Sequence, residues 1–323
     1  MRKTIEIIVF TAIISYGLAF VLSLFCIKYL KGIQSRIKPE LFDVHSHKEG
    51  TPNVGGIAFL SSTFIFSLIF IPLNKNVSFI LFSTALFALL GFIDDIVKIK
   101  TKNGDGVSSK LKLFMQFSFG LIIAILGDHL LIINLGWSFL YSEGVLFTII
   151  RIVLIAFVLA YFANAFNITD GLDGLLASIS LPIFVLIFLI GLNISVNSPI
   201  ILLSISMLSS LFAFFHFNKH PAIYFMGDCG SMGLGVFLTT TAMVLNIVPV
   251  FLIASLVLSV ELFTSLIQII SINKFHKKVF LIAPIHHAFQ EKGMNEESIV
   301  AQFARYSTIC SIIAFFVYSA INR

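Results

Sequence analysis

The chain has 323 residues, 58% of them hydrophobic and only 11% charged, with a formal net charge of +5 and a mean hydropathy of +1.02. Soluble domains carry about 25% charged residues, so this composition excludes a single water-soluble core and calls for lipid around the chain. The modest positive charge fits lysines in membrane-flanking loops better than nucleic-acid binding. Cys26, Cys229 and Cys310 are too widely spaced for a disulfide framework or a zinc knuckle.

Met1-Arg2-Lys3 precedes an apolar run from Ile5 to about Leu30. That run is too long for a signal-peptide core and has no small-residue cleavage site behind it, so it reads as a first span. Further apolar stretches bounded by polar breaks fall at 54–73, 78–97, 111–127, 145–166, 174–192, 199–216, 231–246, 248–272 and 299–320. The expectation is an all-α polytopic bundle of about ten transmembrane helices, forming one domain over 1–323.

Lysine and arginine set the expected orientation. Lys31, Arg36, Lys38 and Lys48 follow span one, five lysines from Lys98 to Lys112 follow span three, and Lys274, Lys277, Lys278 and Lys292 follow span nine. The alternate loops are almost bare, with Lys75 alone in 74–77. Odd-numbered spans therefore end in the cytoplasm, and both termini lie outside. On this topology Asp94 and Asp95 end span three, Asp170 and Asp173 follow span five, Asp228 opens span eight, and His286-His287 follow span nine. All of them face the cytoplasm, which points to one site there.

Each cluster has a structural reading beside the chemical one. Adjacent carboxylates at a membrane edge need a cation or donor, but Asp94-Asp95 also suits a helix end meeting water or pairing with Lys98. Asn164-Ala-Phe-Asn-Ile-Thr-Asp170-Gly-Leu-Asp173-Gly packs amides, carboxylates and glycines into a short segment suited to a base or sugar. In Phe225-Met-Gly-Asp228-Cys-Gly-Ser231, the aspartate either caps the next helix or binds a metal. Asp oxygens suit Mg²⁺, which takes one or two carboxylates plus substrate phosphates. Three carboxylate clusters among lysines thus resemble a diphosphate–metal site. Glu261 and Arg151 lie inside spans, where either function or helix packing explains them. A transporter is the rival class, but its sites lie near the midplane of broken, repeated helices, and no repeat is visible.

Taken together, the motifs resemble the polyprenyl-phosphate N-acetylhexosamine-1-phosphate transferase superfamily, and within it the branch with a muramoyl-pentapeptide donor. The resemblance runs from about His45 to the C-terminus. It rests on His45-Ser-His-Lys48-Glu-Gly-Thr-Pro-Asn-Val-Gly-Gly56, the Asp-Asp pair, Ser109-Lys110-Leu-Lys112, Asn164 to Gly174, Phe225 to Ser231 and Pro284-Ile-His-His-Ala-Phe289. The chain departs at Ala288, where relatives commonly carry a third histidine, and at Asn53-Val54, where they carry Thr-Met.

The resemblance implies transfer of phospho-MurNAc-pentapeptide from UDP-MurNAc-pentapeptide to undecaprenyl phosphate, giving lipid I and UMP; UDP-GlcNAc is the alternative donor. It implies a Mg²⁺-dependent homodimer in the bacterial inner membrane. Asp228 matches the Mg²⁺ ligand and Asp94 and Asp95 the catalytic pair. Lys48, Gly171, Leu172, Asp173 and Phe225 match the uridine pocket, and Asn164, Asn167 and Asp170 match polar contacts to the donor. Lys98, Lys110, His286 and His287 match phosphate or sugar contacts, His287 counted among the catalytic residues.

Overall fold

The computed structural model describes residues 2–30, 50–101, 105–142, 144–195 and 198–322. Among these residues twelve α-helices run in order: α1 (Arg2–Tyr29), α2 (Gly55–Phe70), α3 (Lys75–Lys100), α4 (Ser109–His129), α5 (Val145–Thr169), α6 (Leu175–Ile194), α7 (Pro199–Asn218), α8 (Gly227–Val244), α9 (Val248–Ala254), α10 (Leu256–Phe275), α11 (Ile285–Glu291) and α12 (Glu296–Ile321). A 3-10 turn, Ser138–Tyr141, sits between α4 and α5. Eight helices among the described residues are long and apolar enough to cross a membrane, and α2 is a shorter apolar helix. Their outward faces expose large apolar side chains such as Ile13, Phe114, Phe157 and Phe316, the pattern of a surface solvated by lipid.

α8 occupies the centre. Every residue from Gly227 to Met243 is buried, and α2, α3, α5, α6 and α9 all pack on it. Because protein rather than lipid surrounds it, α8 tolerates Thr239, Thr240 and Thr241, whose hydroxyls donate back to carbonyls of the preceding turns. Its glycines let neighbouring backbones come close. A Cβ at Gly56 of α2 would lie 2.2 Å from Gly230 N, and one at Gly91 of α3 would lie 2.1 Å from Asp228 O. Such small-residue contacts drive helix association in lipid, where apolar burial between helices gains little.

Hydroxyls join the outer helices. Ser15 of α1 donates to Ser206 Oγ of α7 at 2.8 Å, Ser62 of α2 donates to Ser15 O at 3.0 Å, and Ser210 of α7 donates to Ser62 Oγ at 3.1 Å. Arg151 of α5 reads as packing rather than an ion path. Its guanidinium donates to Asp128 Oδ1 at 2.5 Å and Leu140 O at 2.8 Å, and lies 4.9 Å from the Tyr141 ring centre, fastening the α4–α5 connection.

The structure differs from the expected spans in three places. The stretch 248–272 is not one helix: it breaks at Ser255, whose hydroxyl donates to Phe251 O at 2.6 Å and Leu252 O at 3.4 Å, a back-bond that bends helices. The polar segment 273–298 contains the short helix α11. α8 starts at Gly227, four positions before the expected 231, because its cap comes from another helix.

Gly91 gives a test of the central packing. Alanine gains about 0.5–1 kcal/mol in a helix, but overpacking against a fixed backbone carbonyl costs about 1–3 kcal/mol. Gly91→Ala is therefore expected to lower the unfolding temperature of detergent-purified protein. A temperature equal to or above the wild-type value would contradict the contact.

Candidate active site

The ends of α3, α4, α5 and α8 meet in one cluster of charge. Asp94 and Asp95 of α3 are each 2% exposed, and Asp228 of α8 is 8% exposed. Buried carboxylates need paired charges or donors, and each finds its own set.

Asp95 caps α8. Its Oδ1 accepts from Asp228 N–H at 3.1 Å and its Oδ2 from Cys229 N–H at 3.0 Å. Asn53 Nδ2 donates to the same Oδ1 at 3.1 Å. A carboxylate here satisfies two otherwise unpaired N–H groups and faces the positive end of the helix dipole. Gly227 makes the approach possible: its φ is +75°, and a Cβ there would lie 2.8 Å from Asp95 Oδ2.

Asp228 is therefore free of capping. Lys98 Nζ donates to its Oδ1 at 2.6 Å, and Lys112 Nζ of α4 donates to its Oδ2. Asp94 joins the same two lysines, at 2.9 Å from Lys98 and 3.4 Å from Lys112, and accepts Val107 N–H at 2.7 Å. Asn167 of α5 accepts from Lys112 at 3.1 Å and donates to Ser231 Oγ of α8 at 3.0 Å. Hard carboxylate oxygens around Asp228, with lysines that offset phosphate charge, suit a divalent cation and a diphosphate.

In sequence Lys112 stands only within the Ser109–Lys112 motif, and the resemblance gives Lys110 as the contact. The structure leaves Lys110 exposed on the opposite side of α4 and brings Lys112 into the cluster. Residues two apart on a helix do not share a face, so only one of the pair can reach α8. The equal claim of both lysines was the only signal available.

The segment after α5 divides its roles. Asn164 donates to Gln116 Oε1 of α4 at 2.5 Å and to Ala160 O at 2.8 Å, an interhelical tie set back from the aspartates. Asp170 sits half-buried at the end of α5, and its carboxylate makes no hydrogen bond or ion pair among the described residues. Burial, then the neighbouring charges of Asp228 and Asp95, pushes its carboxyl up to about 8. Leu172 and Asp173 are buried. Asp173 Oδ2 accepts Ala222 N–H at 3.0 Å and lies 3.1 Å from His220 Nδ1, while Asp173 N–H donates to Glu296 of α12 at 2.7 Å. Asp173, His220 and Glu296 place ligand atoms within 4.8 Å of one another and form a second group of metal-binding type.

Phe225 is half-buried just before α8. Its N–H donates to Pro52 O and its carbonyl accepts Gly55 N–H, both at 2.8 Å, so the Pro52–Gly56 motif is fastened to the start of α8. Lys48 lies outside the described residues.

The histidine loop is less open than its sequence suggests. α11 carries His286 fully buried, with Nδ1 2.8 Å from Glu261 Oε2 of α10. His287 is half-buried, its Nδ1 2.7 Å from Gln290 Oε1 and its ring centre 4.2 Å from that of His286. Gln268 of α10 accepts Val279 and Phe280 N–H and donates to Phe280 O, and Ser271 donates to Lys277 O, which together clamp the loop leading to α11. An apolar groove of about 320 Å³ runs beside α11, lined by Val257, Val260, Phe289, Phe303 and Ile309 among others.

A membrane bundle whose described residues gather a buried carboxylate–lysine cluster from the ends of four helices defines an integral membrane protein with a polar, charged pocket region at one end. Residues 77–246 match the family described as glycosyl transferase family 4. The phospho-N-acetylmuramoyl-pentapeptide-transferase of Wolbachia sp. subsp. Drosophila simulans is 34% identical over 313 residues, covering 92% of this chain and 95% of that one. That of Caldanaerobacter subterraneus subsp. tengcongensis is 30% identical over 320 residues, covering 98% and 100%. That of Staphylococcus carnosus is 31% identical over 314 residues, covering 95% and 98%. The chain belongs to glycosyl transferase family 4, among the phospho-N-acetylmuramoyl-pentapeptide-transferases.

Asp170 yields a pH prediction for the metal-free protein. Its folded pKa, about 8, is raised above the usual carboxylate value of about 3.9. Its contribution to stability is thus complete below about pH 4 and lost as pH rises towards 8. Asp170→Asn removes that loss, so the variant's advantage in unfolding temperature is expected to grow between these pH values. An advantage that does not change with pH would contradict the assignment.

Proposed function

We propose that this protein transfers phospho-MurNAc-pentapeptide from UDP-MurNAc-pentapeptide to undecaprenyl phosphate, with UMP leaving and lipid I forming. The observation that carries this reading is the sharing of Asp228 and Asp94 by Lys98 and Lys112. A phosphate oxygen of the lipid forms a bond to the donor's sugar-linked phosphorus, and the bond from that phosphorus to the bridging oxygen breaks. The electron pair leaves with UMP.

The residues divide this work. Lys98 and Lys112 offset charge on the two anionic substrates, which otherwise repel each other. Asp94 holds both ammonium groups in place, and Asp95 keeps the first turn of α8, hence Asp228, in register. Asp228 is the residue that would hold Mg²⁺, with the neighbouring carboxylates close by. Mg²⁺ supplies neutralisation of the phosphates and of the departing UMP. Phe225, Gly171, Leu172 and the main chain near Asp173 would receive the uridine, with Asn167 and Asp170 as polar contacts. The apolar groove beside α11 suits the start of the polyprenyl chain. The site would face the cytoplasm of a bacterial inner-membrane protein whose termini lie outside, in a homodimer.

Purified protein with both substrates and Mg²⁺ is expected to release UMP. Turnover of UDP-GlcNAc without turnover of the muramoyl donor would overturn the donor assignment. Asp228→Asn is expected to cost at least ~10²-fold in rate, as for loss of a strong electrostatic stabiliser, with only partial rescue by extra Mg²⁺. The two lysines of α4 separate cleanly in the same assay. Lys112→Ala is expected to lose at least ~10²-fold, while Lys110→Ala stays within about twofold, as an exposed substitution should. Equal losses in both would remove Lys112 from its proposed role.

A further inference from the structure

Glu261 and His286 form a buried pair set apart from the carboxylate–lysine cluster. Both side chains are 0% exposed, and their facing atoms are 2.8 Å apart. Each also carries a second polar atom, Glu261 Oε1 and His286 Nε2, that is buried with no hydrogen-bond partner among the described residues. An orphaned buried polar atom is costly and uncommon. Two in one pair mark a place kept for something other than packing.

The pair fixes what the imidazole can do. Glu261 as a carboxylate only accepts, so Nδ1 carries a proton and donates, which sets the ring plane and the tautomer. Nε2 is then the outward atom, an acceptor in the neutral ring and a donor in the protonated one. It lies against the loop after α5: a Cβ built on Gly171 would sit 2.3 Å from it. Gln268 and Ser271 of α10 tie down the 277–280 segment that leads to α11, so the approach to the pair does not depend on a loose loop.

We propose that Glu261 is a positioning residue for the transfer reaction. It orients His286 so that Nε2 meets a polar group of the nucleotide-sugar donor as that donor seats on the 170–173 loop. Gly171 is required as glycine because any side chain there would displace the ring. This inference rests on the functional reading above.

The experiment is a cycle of Glu261→Ala, Glu261→Gln, His286→Ala and the Glu261→Ala/His286→Ala double variant, read by UMP release per folded protein. Glu261→Ala is expected to lose at least ~10-fold. Glu261→Gln keeps an acceptor for Nδ1 and is expected to recover most of that loss. The double variant is expected to be no worse than His286→Ala alone, since Glu261 acts through the ring. Losses that multiply in the double variant, or a folded Gln variant as damaged as the Ala variant, would overturn the proposal. A second arm needs no turnover. Gly171→Ala is expected to lower the unfolding temperature, and adding His286→Ala to restore most of it; no restoration would place the ring elsewhere and also overturn the proposal. Wild-type protein that releases UMP from no donor would instead bring down the functional reading itself.

Discussion

The site depends first on one buried carboxylate. Asp95 receives the backbone N–H groups of Asp228 and Cys229 and the side-chain amide of Asn53. Three segments distant in sequence are thereby fixed to one another: the end of α3, the start of α8 and the Pro52–Gly56 motif. A helix N-terminus ordinarily takes its cap from its own chain just upstream. Here Met226 just before α8 and Gly227 at its first position provide no side-chain cap, so the cap comes from α3. With the cap supplied from outside, Asp228 in the first turn keeps its own oxygens for the cleft.

Charge balance then explains the lysines. Asp94 and Asp228 bring negative charge into a region that excludes most water, and Lys98 and Lys112 each touch both. Losing one member of such a network leaves a buried charge uncompensated, at a cost of about 3–5 kcal/mol. The lysine side chains stay partly open, 34% exposed for Lys98 and 14% for Lys112. That openness supports the proposed function, in which they hold the aspartates in the free protein and phosphate oxygens in the loaded one.

The bundle was legible in sequence because lipid imposes it: apolar runs of the required length have no other stable form. The convergence of Asp94, Asp95, Asp170 and Asp228 was also legible, from loop charge alone. What stayed hidden depends on three-dimensional neighbours. Asp95 and Asp228 each suit a helix cap or a chemical role, and only the packing of α3 on α8 assigns the cap to Asp95. Lys110 and Lys112 are equivalent as letters and separate only when one face of α4 is seen to meet α8. Glu261 reads in sequence as function or packing alike, and no periodicity in α10 announces its bond to a histidine 25 positions later.

The central claim is that Asp228, fed by this network, holds the divalent cation. Asp173, His220 and Glu296 offer a competing group of ligand atoms elsewhere in the protein. The direct test is an anomalous difference map from crystals grown with Mn²⁺ and a uridine diphosphate sugar. The expected map has its peak on the Asp228 carboxylate, with Lys98 or Lys112 moved onto phosphate oxygens. A peak confined to Asp173, His220 and Glu296, with Asp228 still held by both lysines, would contradict it.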